Sequence, residues 1–278
     1  MTHPNFLYAL VLSTVAAGAT TLGSLLGLVI GRPGPKFMAA SLGFSAGVMM
    51  LVSFAELLRT SINGIGFAPA MVAFFGGMGV MFLVDLLVPH EFISEHNLPA
   101  GPGYCADDRE ATGHGHRHRH GRNQGLGPQQ LLRAGLLIAL GIGIHNLPEG
   151  MATFAGAIKD RGLGLAIAAA IALHNIPEGL AVAMPVYCAT GSWRKAVTWS
   201  TLSGAAELLG ALVAAVVLLP FLTPTFLNYM LAAVGGLMVF ISFDELIPGS
   251  YAYGHEHLSV AGIVSGMALM AASIWLLR

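Results

Sequence analysis

Charge is what this sequence has least of. Only 10% of its 278 residues are Asp, Glu, Lys or Arg, whereas a soluble globular domain carries about 25%. A chain that is also 55% hydrophobic cannot keep most of its surface in water. That excludes an ordinary soluble domain and leaves a polytopic membrane protein. An excess of positive charge is missing too. The net charge is −1, so there is no basic footprint for nucleic acid. Cysteine is scarce: Cys105 and Cys188 share no metal-ligand spacing, and one lies in an apolar run, so no disulfide framework is expected. The N-terminus lacks the basic region of a signal peptide. Its apolar run from Phe6 to Ile30 is too long for a signal core and reads as a retained first span. Glycine, by contrast, is plentiful. Its 36 copies suit close helix packing in lipid.

A span needs about 20 mostly apolar residues. Eight segments qualify: Phe6–Ile30, Phe37–Leu58, Phe67–Val88, Gln130–Ala157, Leu163–Cys188, Trp193–Leu219, Thr225–Ile247 and Leu258–Leu277. The expected fold is all-α, one transmembrane domain over residues 1–278. Polar or Gly/Pro-rich breaks such as "GRPGPK", "KDRG" and "ATGSWRK" separate the spans. One break is long. Residues 89–129 hold Pro, Gly, Asp and the run "HGHRHRHG", a composition that reads as a disordered loop. Arg32, Lys36, Arg109, Arg117, Arg119, Arg122, Arg133, Arg194 and Lys195 fall on one set of loops, and Arg59, Lys159, Arg161 and Arg278 on the other. The positive-inside rule makes the richer set cytoplasmic. Both termini then face outward and the His-rich loop faces inward.

Within this apolar chain, "HNLPEGMA" (145–152) and "HNIPEGLA" (174–181) nearly repeat each other. Ionisable side chains at mid-span are expensive and mark function by default. Each helical residue turns about 100°, which puts His145, Asn146 and Glu149 on one face, with the carboxylate between the other two. His174, Asn175 and Glu178 repeat the arrangement. Imidazole nitrogen, amide oxygen and carboxylate are all metal ligands. Pro148 and Pro177 cannot donate to the carbonyls four residues earlier, which loosens each helix just before its glutamate. The short "KDRG" connection makes the two helices antiparallel neighbours. Two copies at mid-depth can then meet about a pseudo-two-fold axis in the membrane plane, each supplying half of one cage. A lone buried Asn or His often only glues helices together. Matched copies argue for more than glue.

These signatures resemble those of the ZIP metal-ion transporters, in particular the bacterial ZupT-type zinc/iron permeases. "GIHNLPEG" and "ALHNIPEGLAVAMPVY" carry most of the likeness, and "SLGFSAG", "SGAAELLG" and "SFDELIP" extend it over nearly the whole chain. The resemblance implies an eight-helix inverted-repeat bundle in the bacterial inner membrane, with termini outside, a His-rich cytoplasmic loop, and uptake of divalent metal by alternating access. It also implies a binuclear centre on the fourth, fifth and sixth helices. One ion would be held by His145, Glu149, His174 and Glu178. The other would be held by Asn146, Glu149, Asn175, Glu178 and Glu207. Some members carry Gln-Asp where this chain has His174-Asn175. Here a nitrogen is added and a charge removed.

Other residues are candidates for an ion path. Glu56 lies near a span end, where it can reach water or pair with Arg59. Asp244 and Glu245 precede Pro248 near the expected cytoplasmic end. His114, His116, His118 and His120 form a weak metal-binding tract whose interleaved arginines would repel a cation. The expected cargo is zinc and iron(II), with manganese, cobalt and cadmium behind them. The metal is substrate, and no cofactor is expected. The expected partners are divalent cations and the lipid bilayer, with a homodimer allowed and no nucleic acid. Two other readings use the same residues. A membrane metalloenzyme would need HExxH or several HxxxH and ExxH motifs, and the spans contain none. An exporter would differ only in direction.

Overall fold

In the computed structural model, residues 4–31, 33–87, 128–218, 221 and 223–276 are described. They form eight continuous helical stretches and no strand: α1 (Phe6–Ile30), α2 (Pro35–Ile65), α3 (Phe67–Leu87), α4 (Pro128–Lys159), α5 (Arg161–Thr190), α6 (Trp193–Val217), α7 (Pro224–Tyr251) and α8 (Glu256–Leu276). All but α4 are long and apolar enough to cross a membrane by length and composition among the described residues. α4 spans 32 residues and packs against α1, α5, α6 and α7. The His-rich tract His114–His120 lies outside the described residues.

The connections are tight where the sequence supplies turn chemistry. Gly66 alone separates α2 from α3, at φ 86, a conformation that glycine adopts without a steric penalty. Asp160 caps α5 by accepting from the Leu163 amide at 2.8 Å, and Gly191 ends that helix in the left-handed region. α2 and α7 run further than their apolar stretches because each passes through a π turn. Ser53–Leu58 forms one and Ser242–Leu246 the other. Single π turns inside long helices often sit at functional positions.

The two π turns have nearly the same sequence, and so do the helices around them. "GVMMLVSFAELL" (47–58) in α2 matches "GLMVFISFDELI" (236–247) in α7. "STVAAGATTLGSL" (13–25) in α1 matches "STLSGAAELLGAL" (200–212) in α6. The packing obeys the same correspondence. Gly23 lies against the Ile176 carbonyl and Gly210 against the Leu147 carbonyl. Gly150 meets the Glu207 carbonyl and Gly179 the Thr20 carbonyl. Gly77 meets the Ala233 carbonyl and Gly266 the Phe44 carbonyl. A Cβ at any of these six glycines would collide with backbone. The bundle is therefore a repeat in which α1–α3 correspond to α6–α8 and α4 to α5. An odd number of crossings separates corresponding helices, so the two halves are inverted. α4 and α5 occupy the core, whereas α3 and α8 sit outermost. Phe75, Leu83, Leu86, Val264 and Trp275 are exposed there as an apolar surface suited to lipid.

One expectation fails. Cys188 is disulfide-bonded. The chain's only other cysteine, Cys105, lies outside the described residues. Spacing along the chain could not show this, because a bridge depends on approach in space and not on separation in sequence.

Candidate metal centre

His145, Asn146 and Glu149 from α4, His174, Asn175 and Glu178 from α5, and Glu207 from α6 are all buried, none more than 1% exposed. Five ionisable residues buried in one place need compensation, because an isolated charge in an apolar medium is very costly. The compensation crosses between helices. His174 Nε2 lies 3.3 Å from both carboxylate oxygens of Glu149. His145 Nε2 lies 3.8 Å from Glu178 Oε2. Spacing along each helix permits pairing within it, at i+3 or i+4. The observed pairs instead join α4 to α5. The antiparallel approach turns the two motif faces toward each other, so each carboxylate meets the imidazole of the opposite copy.

The amide residues serve a different set of contacts. Asn175 Nδ2 donates to Glu207 Oε2 at 2.7 Å and to the Ala16 carbonyl at 3.1 Å. Asn146 Nδ2 donates to the Ser203 carbonyl at 3.2 Å. Both side chains thereby keep their amide oxygens free. Tautomer matters at His174. Its Nδ1 lies 3.0 Å from the Ala170 carbonyl and must be the donor there. In a neutral ring, Nε2 then presents a lone pair toward Glu149. Two lone-pair bearers at that separation need a cation between or on them, either a proton on Nε2 or a metal ion.

Buried polar atoms without a hydrogen-bond partner concentrate here. They include both ring nitrogens of His145, both carboxylate oxygens of Glu178, Asn146 Oδ1, Asn175 Oδ1, Glu149 Oε1 and Glu207 Oε1. Native interiors leave few such groups, and a cluster of them marks a place for a ligand. The donors stand in His–Glu pairs. Among the described residues, no three His, Cys, Asp or Glu side chains gather on a common point.

The candidate path residues divide. Glu245 reaches the centre: its Oε2 lies 3.9 Å from His145 Nδ1. A cavity of about 60 Å³ lined by Leu42, Ile138, His145, Glu178, Glu245 and Tyr253 leads from the centre toward the face where α4 begins and α7 ends. Asp244, the neighbouring candidate, is exposed and is not among that cavity's lining residues. Glu56 is buried, at 8% exposure, and lies outside the centre. It lines a cavity of about 300 Å³ with Thr60, Lys159 and Asp160, on the opposite face. No residue of the centre lines this second cavity. Lys159 Nζ there donates to Asn228 Oδ1, tying the end of α4 to the start of α7. Glu56 and Glu245 are the same position of the repeated "SF-x-EL" turn. Sequence reading found both carboxylates but missed their kinship, which the repeated letters carried all along.

Comparison with known proteins identifies the family. The ZIP Zinc transporter family profile matches residues 88–273. The chain belongs to that family. It is 42% identical to Zinc transporter ZupT of Corynebacterium efficiens, over 99% of both chains. It is 44% identical to that of Chlorobium luteolum, over 98% of this chain and 99% of the relative. It is 40% identical to that of Streptococcus mutans, over 96% of this chain and 97% of the relative. A member of this family is a multi-pass membrane transporter of divalent metal and not an enzyme, and metal ions are its cargo.

Proposed function

We propose that this ZIP protein imports divalent cations into the cytoplasm across the bacterial inner membrane, with zinc and iron(II) the principal cargo and manganese, cobalt and cadmium lesser ones. The carrying observation is the cluster of unpartnered donors on His145, Asn146, Glu149, Asn175, Glu178 and Glu207, with His174 beside them. An arriving ion draws the two His–Glu pairs onto itself and displaces the proton that otherwise holds each pair together. Glu149 and Glu178 are shared between a nitrogen-rich half, with His145 and His174, and an oxygen-rich half, with Asn146, Asn175 and Glu207.

Alternating access is supported by the unequal placement of the two repeated carboxylates. Glu245 stands beside the centre at the mouth of one cavity, while Glu56 stands in another cavity apart from it. In this reading the protein is open toward the cytoplasmic face, and Glu245 receives the departing ion. The opposite state brings Glu56 toward His174 and opens the outer face, where the ion enters.

The test is metal uptake by proteoliposomes of defined orientation. Inward transport of zinc down its gradient is expected. Transport only from the cytoplasmic face would make the protein an exporter, and absence of any metal movement would contradict the proposal.

A further inference from the structure

The correspondence between the two halves breaks at the centre. Glu207 of α6 matches Thr20 of α1 in the aligned stretches "STLSGAAELLGAL" and "STVAAGATTLGSL". Their backbones match too. Gly150 packs on the Glu207 carbonyl as Gly179 packs on that of Thr20. Asn175 bridges the Ala16 carbonyl and the Glu207 carboxylate, and Asn146 holds the matching Ser203 carbonyl. Where the mirror contact of Asn146 should reach a carboxylate, the chain supplies a threonine hydroxyl instead.

That hydroxyl departs from the usual pattern. A helical serine or threonine ordinarily donates to the carbonyl three or four residues earlier. Ser13, Thr14, Ser24, Ser53, Ser61 and Thr153 all do so. The carbonyl four residues before Thr20 is that of Ala16, which Asn175 Nδ2 already occupies. Thr20 is completely buried, and its Oγ1 has no hydrogen-bond partner. Ser203 Oγ and Asn146 Oδ1, on the same side of the centre, have none either. Three neutral oxygens are thus held without partners where the other half-repeat places one carboxylate. A threonine oxygen sits two bonds closer to its backbone than a glutamate oxygen, so it reaches less far along this direction.

We propose that Thr20 is a further positioning residue of the oxygen-rich half. Its hydroxyl, with Ser203 and Asn146, holds a water carried on the bound ion, directly opposite Glu207. By being neutral it limits that half to one carboxylate beyond the shared pair, and so restrains its preference for hard, oxygen-seeking ions. This rests on the proposed function of the centre.

The test compares Thr20→Val, Thr20→Ser, Glu207→Thr and the exchange Thr20→Glu/Glu207→Thr, with Glu149→Ala as control. Zinc and manganese binding to the purified full chain is measured by calorimetry, and uptake in proteoliposomes. Thr20→Val keeps the shape and loses the hydroxyl. Loss of an outer partner of a bound metal costs about 10–100-fold in affinity, so manganese binding should weaken by roughly tenfold, and zinc by less. Thr20→Ser should bind like the natural chain. Glu207→Thr should lose manganese binding, and the exchange variant should regain it, because the carboxylate then stands at the mirror position. Thr20→Val binding both metals normally, or an exchange variant no better than Glu207→Thr, would overturn the inference. If Glu149→Ala also binds both metals normally, the reading of the centre itself fails instead.

Discussion

At the residue scale, the proposed centre distributes chemistry unequally between its candidate donors. Imidazole suits zinc, whereas carboxylate and amide oxygens suit manganese, with iron(II) between them. Glu207 belongs to the oxygen side, hydrogen-bonded by Asn175. His145 belongs to the nitrogen side, between Glu178 and Glu245. Glu207→Ala should therefore reduce manganese and iron uptake far more than zinc uptake, and His145→Ala should do the reverse. Uptake of labelled metals, scaled to membrane protein, checks this, and equal losses throughout would favour one undivided site. Six of the seven proposed donors stand in the double "HNxPEG" motif, which is unusual in apolar spans, and Glu207 was singled out by the resemblance of "SGAAELLG". Their pairing was not legible. Spacing along one helix says which residues share a face, but a partner on the next helix is a matter of packing. Thr20 was invisible for a related reason: a threonine in a transmembrane stretch is ordinary until its usual carbonyl is seen to be taken.

At the element scale, the helices approach closely enough for backbone to touch backbone, and glycine makes that distance possible. Gly150 and Gly179, the last polar-motif letters, seat α4 on Glu207 and α5 on Thr20. Gly150→Ala or Gly179→Ala must push these helices apart. Overpacking of this kind costs about 1–3 kcal/mol. Both variants should melt at lower temperature in detergent and transport poorly, whereas Gly18→Ala, with open space at its Cβ, should behave like the natural chain. Equal melting of all three would contradict the packing. The eight helices were readable from the apolar segments, although α4 is not among the seven that qualify as spans by length and composition. Their ends in α2 and α7 were not, because "RTSING" and "PGSYAYGHEH" look like helix exits. The π turns carry the helices onward and aim Glu56 and Glu245 inward.

At the scale of the whole molecule, the inverted repeat would let a single arrangement of helices present one centre to two faces in turn, as the proposed alternating access requires. Sidedness rests on the distribution of Lys and Arg among the loops. In a chain lacking both native cysteines, Phe221→Cys should react with an impermeant thiol reagent outside intact cells, and Ala252→Cys should not. The reverse pattern would invert the direction of transport. The repeat of α4 and α5 was plain in the letters. The larger repeat was there too, but half of its identities are common apolar residues, and only the matched backbone contacts make it certain. Glu149 and Glu178 are the carboxylates that join the two copies of the motif at complete burial. The decisive measurement is zinc uptake by proteoliposomes containing Glu149→Gln or Glu178→Gln, with Glu256→Gln as a control outside the centre. Gln keeps the volume and removes the charge. Both centre variants should lose nearly all uptake while the control keeps it. Uptake at the natural rate by either centre variant would contradict the account.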